Sequence, residues 1–190
     1  MEKNKFNLHL NFHPFPVLHT KRLILRPIGM MDAESLFALR SSPVVLKYIQ
    51  KKPLTHIKEA RDMIKMIENN WFENKAILWV MALQEMPEIM IGNITFWRID
   101  AEHKRAELGY ILNPEFWQQG YMQEAAKPVI GYGFKNMNLH GIEAHINPEN
   151  KGSEHVLQKM GFVKEAHFKE NYYYESMFYD SAIYCLQNPG

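Results

Sequence analysis

Gln118, Gln119, Gly120, Tyr121 and Met122 stand in the stretch FWQQGYMQEAAKPVIGYGF, where a lone glycine precedes an apolar rhythm at helical spacing. A helix N-terminus offers unpaired backbone N–H groups and a partial positive charge, so these five residues can hold a phosphate without a lysine. Gly120 suits that role because glycine adopts a left-handed conformation and lets a ligand approach the backbone. The same pattern fits a helix start whose glycine only relieves packing, and neither a dinucleotide loop nor a P-loop lysine is present. A second constellation, NKGSEHVLQKMGF, places Asn150, Ser153, Val156, Leu157, Lys159, Gly161 and Phe162 in the spacing N-x-x-S-x-x-V-L-x-K-x-G-F.

The elements that must position these residues are legible in the periodicity. VLHTKRLILRPI alternates, with Leu23 and Leu25 on one face and Arg22, Ile24 and Arg26 on the other, as in a strand closed by Pro27. Asp32 is the expected N-cap of a helix through Arg40, and Thr55 that of HIKEARDMIKMIENNW, where Ala60, Met63, Ile64, Ile67 and Trp71 share a face. AILWVMALQ and IMIGNITFWRI are expected to form a hairpin across EMPE, with Gly92 marking a bulge or a close backbone approach. KRAELGYILN is a third strand, stopped by Pro114. Met122, Ala125, Ala126, Val129, Ile130, Gly133, Phe134 and Met137 then make a core-facing helix stripe. Pro128 within it predicts a bend or a lost hydrogen bond at Glu124. GIEAHINP is a strand, the second constellation a short helix, and strands near FVKEAHF and YESMFYDSAIYCL finish the chain.

The order is mixed α/β, and the strand–helix–strand unit from Lys104 to Asn147 predicts two parallel strands, neighbours or near neighbours. Ligands in open α/β sheets gather at strand carboxyl ends beside helix N-termini, which here means Asn113 to Met122.

Composition bounds the function classes. In 190 residues, 46% are apolar and 13% aromatic, which fits one domain, read as residues 17–187 after an irregular lead-in over 1–16. No apolar run approaches the roughly 20 residues of a membrane span, and the first residues lack a secretory h-region. Cys185 is the one cysteine, which excludes an internal disulfide and makes a reducing, cytoplasmic setting the expectation. A net charge of +1 gives no global attraction to nucleic acid or anionic lipid. His9 with His13 and His140 with His145 have no third ligand at metal spacing, so no metal is expected.

Taken in order, these motifs resemble the GNAT acetyltransferase superfamily, and within it the Rim-type branch of ribosomal-protein-alanine N-acetyltransferases. That branch opens with T-x-R-L-x-L-R, here Thr20, Arg22, Leu23, Leu25 and Arg26. It carries A-E-L-G-Y, here Ala106 to Tyr110, before the glycine turn, and G-Y-x-x-E-A, here Gly120, Tyr121, Glu124 and Ala125, at it. The resemblance implies a central, mostly antiparallel twisted sheet with two splayed parallel strands, flanked by about four helices. It implies acetyl-CoA as co-substrate, with the pyrophosphate on Gln118 to Met122 and the pantetheine arm and thiol near Asn150 and Ser153. Backbone groups of Leu112 and Asn113 would pair with the pantetheine amides, and an N–H near Tyr110 to Leu112 would face the oxyanion. The sequence departs from the superfamily pattern at Met122, where a small residue is common beside the phosphates. It departs again at Leu157, where many members carry a tyrosine that protonates the thiolate.

Acetyl transfer to an amine needs a neutral amine, a stabilised oxyanion and protonation of the departing thiolate. Glu107 is the candidate base, if its surroundings raise its pKa; its alternative is a solvent-facing carboxylate paired with Arg105 or Lys104. Ser153 is the candidate for contacting the thiol, its alternative a hydroxyl that caps a backbone carbonyl. An α-amine, with a free pKa of about 7.7–8.0, loses its proton far more readily than lysine at about 10.4. The resemblance to the Rim-type branch makes a protein N-terminus the expected acceptor, with a small-molecule amine as second reading and a homodimer left open. Tyr172, Tyr173, Tyr174, Phe178 and Tyr179 either frame an acceptor pocket or pack the sheet. Two other classes stay in view: a non-catalytic acyl-CoA-binding or regulatory protein, favoured by Met122 and Leu157, and an RNA-binding module built on KRLILR and KYIQKK.

Overall fold

A computed structural model describes residues 8–190. Its strands are β1 (Leu18–His19), β2 (Leu23–Arg26), β3 (Ile77–Leu83), β4 (Gly92–Asp100), β5 (Arg105–Leu112), β6 (Gly141–Ile146), β7 (Val163–Tyr174) and β8 (Met177–Gln187). Its α-helices are α1 (Ala33–Ser41), α2 (Pro43–Leu46), α3 (Ile57–Phe72), α4 (Tyr121–Lys135) and α5 (Lys151–Lys159). The strands make one sheet in the order β1-β2-β3-β4-β5-β6-β8-β7, antiparallel except where β5 meets β6. This is the mixed α/β arrangement with a mostly antiparallel sheet and one parallel pair that the motifs imply.

Two apolar clusters sandwich the sheet. The larger joins the α4 stripe of Met122, Ala125, Ala126 and Val129 to Trp79, Phe96, Leu108 and Ile142. The smaller places Leu36 and Leu39 of α1 and Ala60 and Ile64 of α3 with Val80. Apolar residues at helical spacing on α3 and α4 thus cover opposite faces of one sheet, and their removal from water is the main force holding the layers. Pro128 leaves the Glu124 carbonyl without its helical donor, yet α4 continues through it.

Several local expectations change. Residues 17–28 form a tight hairpin rather than one strand, with Leu18 opposite Leu25. Thr20 turns the chain: its N–H donates to the Leu23 carbonyl at 2.9 Å, and its Oγ1 accepts the Leu23 N–H at 2.9 Å. Asp32 sits at the N-cap of α1 but its side chain makes no capping hydrogen bond to that helix. Its buried carboxylate instead accepts Arg26 Nη1 and Nη2 at 2.9 and 2.7 Å and the Gly29 N–H at 2.9 Å. The N-cap of α3 is His56 rather than Thr55, and Glu59 reaches back to accept both backbone N–H groups. Of the lead-in, residues 1–7 lie outside the described residues, while 8–16 lack helix and strand. Phe12 in that segment is nevertheless fully buried in the larger core. Gly92 is a close approach: a Cβ there would lie 2.5 Å from the Ile111 carbonyl oxygen. The register shift in β4 falls later, between Trp97 and Asp100.

Candidate active site

The turn into α4 has the geometry of an anion cradle. Gln118 and Gly120 both take left-handed φ, 59° and 79°, and α4 starts at Tyr121. The helical ladder opens with the Glu124 N–H to the Gly120 carbonyl at 3.0 Å, so the N–H groups of Tyr121 and Met122 precede it and face outward. The Met122 side chain turns into the larger core and is 5% exposed. It therefore does not crowd the turn as its place in the motif implies, and one of the two features favouring a non-catalytic reading falls away. Leu157, the other, is fully buried in the same core.

A side chain that the motif contains, but to which it assigns no role, organises this turn. Arg22 donates Nε to Glu124 Oε2 at 2.7 Å and Nη2 to the Gln119 carbonyl at 3.1 Å, and its guanidinium lies 4.0 Å from the Tyr121 ring centre. Glu124 Oε1 also accepts the Thr20 hydroxyl at 2.6 Å and the Arg22 N–H at 2.8 Å. The β1–β2 hairpin is thereby bolted to the first turn of α4. Burial pushes the Glu124 carboxyl up, but the hydrogen bonds from Thr20 and Arg22 outweigh it and hold the group below its ordinary value. The T-x-R spacing was the available signal, since alternation alone gives Arg22 no partner. With Arg22 bound to Glu124 and Arg26 to Asp32, the KRLILR segment presents no free arginine pair for RNA.

Beside the cradle, β5 and β6 pair over Arg105–Glu107 and Gly141–Glu143 only, and the strands diverge beyond. Asn113 spends both backbone groups internally, donating to the Ile91 carbonyl at 2.8 Å and accepting the Phe116 N–H at 2.9 Å. The Leu112 carbonyl accepts the Trp117 indole N–H at 2.8 Å. Ladder alternation turns the Tyr110 and Leu112 N–H groups away from β4, toward the opening. Leu112 thus keeps its N–H for a pantetheine amide, while the Asn113 N–H is already used within the protein. Across the opening, Asn150 Oδ1 accepts the Ser153 N–H at 3.1 Å and caps α5. Tyr110 donates its hydroxyl to the Ser153 carbonyl at 3.4 Å, and burial pushes this phenol up to about 12. Tyr110 and Ser153 thus span the gap between the diverging elements.

Glu107 lies three residues before Tyr110 and points to the opposite face. It lines a cleft of about 170 Å³ with Arg98, Asp100, Arg105, Glu143 and His145. Its side chain is 10% exposed and meets Arg98 Nη1 at 3.2 Å. Burial raises its pKa, against the lowering influence of His145 and Arg98. Its cationic partner is thus Arg98, while Arg105 reaches Glu143, and His145 Nε2 lies 3.3 Å from Glu143 Oε2. Burial raises the Glu143 carboxyl too, but hydrogen bonds from His145 and Arg105 prevail and lower it.

Among the described residues, no group of three or more His, Cys, Asp and Glu side chains could hold a metal ion. The terminal aromatic run separates into exposed Tyr173 and Phe178, whose tilted rings lie 4.9 Å apart, and Tyr172, whose hydroxyl donates to the Gln50 carbonyl at 3.2 Å. Trp79 and Phe96 are core. No helix among the described residues is long and apolar enough to cross a membrane.

Comparison with known proteins gives the same outline. The sequence model of the acetyltransferase (GNAT) domain matches residues 22–163. The uncharacterized N-acetyltransferase p20 of Bacillus licheniformis is 40% identical over 148 residues, 78% of this chain and 83% of that protein. YoaA of Bacillus subtilis, also an uncharacterized N-acetyltransferase, is 35% identical over 92% of this chain and 98% of its own. The crystal structure of a GNAT-family acetyltransferase from Bacillus anthracis superposes with a TM-score of 0.81 at 30% identity, covering 92% of this chain and all of that one. Relatives with named acceptors divide. The spermidine N(1)-acetyltransferase of Escherichia coli is 26% identical over 79% of this chain and 76% of its own. RimL, a ribosomal L7/L12 alpha-N-protein acetyltransferase in complex with coenzyme A, has a TM-score of 0.82 at 19% identity, covering 90% of this chain and 98% of that one.

Proposed function

The chain belongs to the GNAT acetyltransferase family and is an N-acetyltransferase, and from that premise we propose that it acetylates the α-amine of a protein N-terminus with acetyl-CoA as donor. The observation that carries this reading is the arrangement about the β5–β6 opening, with a helix-terminus cradle on one face and a buried carboxylate on the other. Gln118 to Met122, steadied by Arg22, hold the pyrophosphate, and Asn150 and Ser153 flank the pantetheine end. The N–H groups of Tyr110 and Leu112 receive the pantetheine amide and the carbonyl oxygen as it gains charge.

The acceptor approaches from the Glu107 face. Its nitrogen bonds to the acetyl carbon as the carbon–sulfur bond breaks, and the amine proton passes to Glu107 directly or through one water. The raised pKa of Glu107, set mainly by burial, makes it a better proton acceptor than an ordinary glutamate. The N-terminus of α5 stabilises the departing thiolate, and Ser153 positions it; Tyr110 stays protonated at neutral pH. Residues 17–187 act as one catalytic domain, and the single, buried cysteine accords with work in a reducing cytoplasm.

A small amine is the second reading, favoured by the spermidine-acetylating relatives. Thiol release from acetyl-CoA, measured with an alanine-initiated pentapeptide and with spermidine, tests both. Turnover of the peptide well above spermidine supports the first reading, and the reverse order supports the second.

A further inference from the structure

We propose that Arg98 sets the acceptor class, its guanidinium filling over Glu107 the place that the second cationic group of a polyamine would otherwise take. This rests on the reading that acceptors approach from the Glu107 face. Arg98 is not a loose surface side chain. Its φ of +46° falls in the register shift of β4 between Trp97 and Asp100, where extra backbone re-aims a side chain. Its guanidinium lies 4.3 Å from the Trp97 ring centre and 3.2 Å from Glu107 Oε2. The guanidinium is thus held between an aromatic face and a carboxylate.

The other carboxylates facing the cleft already have hydrogen-bond partners. Asp100, on β4, accepts the His103 N–H at 2.8 Å and lies 3.1 Å from its Nδ1. Glu143, on β6, is held by Arg105 from β5 and by His145. Each carboxylate that lines the cleft therefore has a basic partner. A polyamine carries two or more ammonium groups and binds where carboxylates outnumber cations, whereas a single attacking amine needs only Glu107. Arg98 is the solvent-facing half of this balance, with a side chain 64% exposed over a partner that is 10% exposed.

Arg98→Gln removes the charge, and Arg98→Gly does the same where glycine adopts the left-handed backbone without strain, so at least one variant folds. Arg98→Lys keeps a cation. We expect the ratio of kcat/KM for spermidine to that for the alanine-initiated pentapeptide to rise about fivefold in the neutral variants, the scale of one exposed ion pair, and to stay near wild type in Arg98→Lys. The acid limb of the pH–rate profile should move to higher pH in the neutral variants, because a cation that lowers the Glu107 pKa is gone. A folded neutral variant with normal acetyl-CoA affinity, an unchanged ratio and an unmoved acid limb would overturn the inference. Wild type that binds acetyl-CoA and acetylates neither probe would overturn the acceptor reading, and this inference with it.

Discussion

Replacing Glu124 with alanine is expected to loosen the donor cradle and the fold together. The substitution removes the acceptor for the Thr20 hydroxyl and the Arg22 N–H, at 2.6 and 2.8 Å, and for Arg22 Nε at 2.7 Å. The first two, partly buried and made to a charged group, are worth about 1–1.5 kcal/mol each. The ion pair adds only about 0.5 kcal/mol, because the Arg22 side chain is 39% exposed and solvent screens it. A loss of about 3 kcal/mol follows, and a protein of this size should melt roughly 6–12 °C lower by scanning calorimetry. Arg22, released, no longer holds the Gln119 carbonyl, so acetyl-CoA affinity should fall about tenfold. Glu124→Gln keeps one acceptor oxygen and should lose less than half as much stability. The Glu124 pKa is depressed in the native state, so its contribution is complete at neutral pH and is lost as pH falls through the native value. The melting gap between wild type and Glu124→Ala should therefore hold from pH 8 to pH 5 and close only below the ordinary glutamate pKa of about 4.3. A Glu124→Ala protein melting within a degree of wild type, with unchanged acetyl-CoA affinity, would refute the clamp.

Glu107→Gln should cut kcat by about 100-fold or more without lowering the melting temperature. The native state, with its raised Glu107 pKa, binds this proton more readily than the unfolded chain, so the ionised group costs stability at neutral pH, and removing it relieves that cost. A large melting loss would instead make Glu107 structural. Gly92→Ala puts a Cβ 2.5 Å from the Ile111 carbonyl oxygen; backbone must shift, and we expect a loss of about 1–3 kcal/mol by urea denaturation. No loss would mean that β5 yields freely there. Burial, followed by a hydrogen bond with Glu165, pushes the Cys185 thiol up to about 12, so Ellman's reagent should label it in native protein only on the timescale of unfolding. Rapid labelling at pH 8 would contradict that environment.

What the sequence made legible follows its strongest periodicities. The α4 stripe, the Gly120 turn and the parallel pairing of β5 with β6 each needed only a local pattern: helical spacing, one glycine, and a strand–helix–strand connection. Long-range partners had no such signal. Alternation through 17–28 hid a hairpin, because Thr20 turns the chain through its own hydroxyl rather than through glycine or proline. Asp32 looked like a cap because the choice between a helix N-terminus and Arg26 is made in three dimensions. Arg98 carried no motif, since its aim at Glu107 depends on a register shift between paired strands. For Met122 the motif position and the helical phase pointed different ways, and the helical phase, which put it in the core-facing stripe, is the one the structure follows. Tyr172 to Tyr174 continue β7 well past the strand expected near 162–168, and the aromatic run is exposed because this end of the β7–β8 hairpin extends beyond the pairing of β8 with β6.

The central claim is that the turn at Gly120 holds the donor, and isothermal titration of wild type and Gly120→Trp with acetyl-CoA and with CoA tests it most directly. Gly120 is left-handed at φ 79°, with Arg22 Nη2 3.6 Å from the position of a Cβ, so an indole there would both strain the turn and fill the cradle. Saturable binding of both ligands by wild type, abolished in a Gly120→Trp protein that still melts cooperatively, is the predicted result. Absence of binding by folded wild type, or equal binding by the variant, would contradict it.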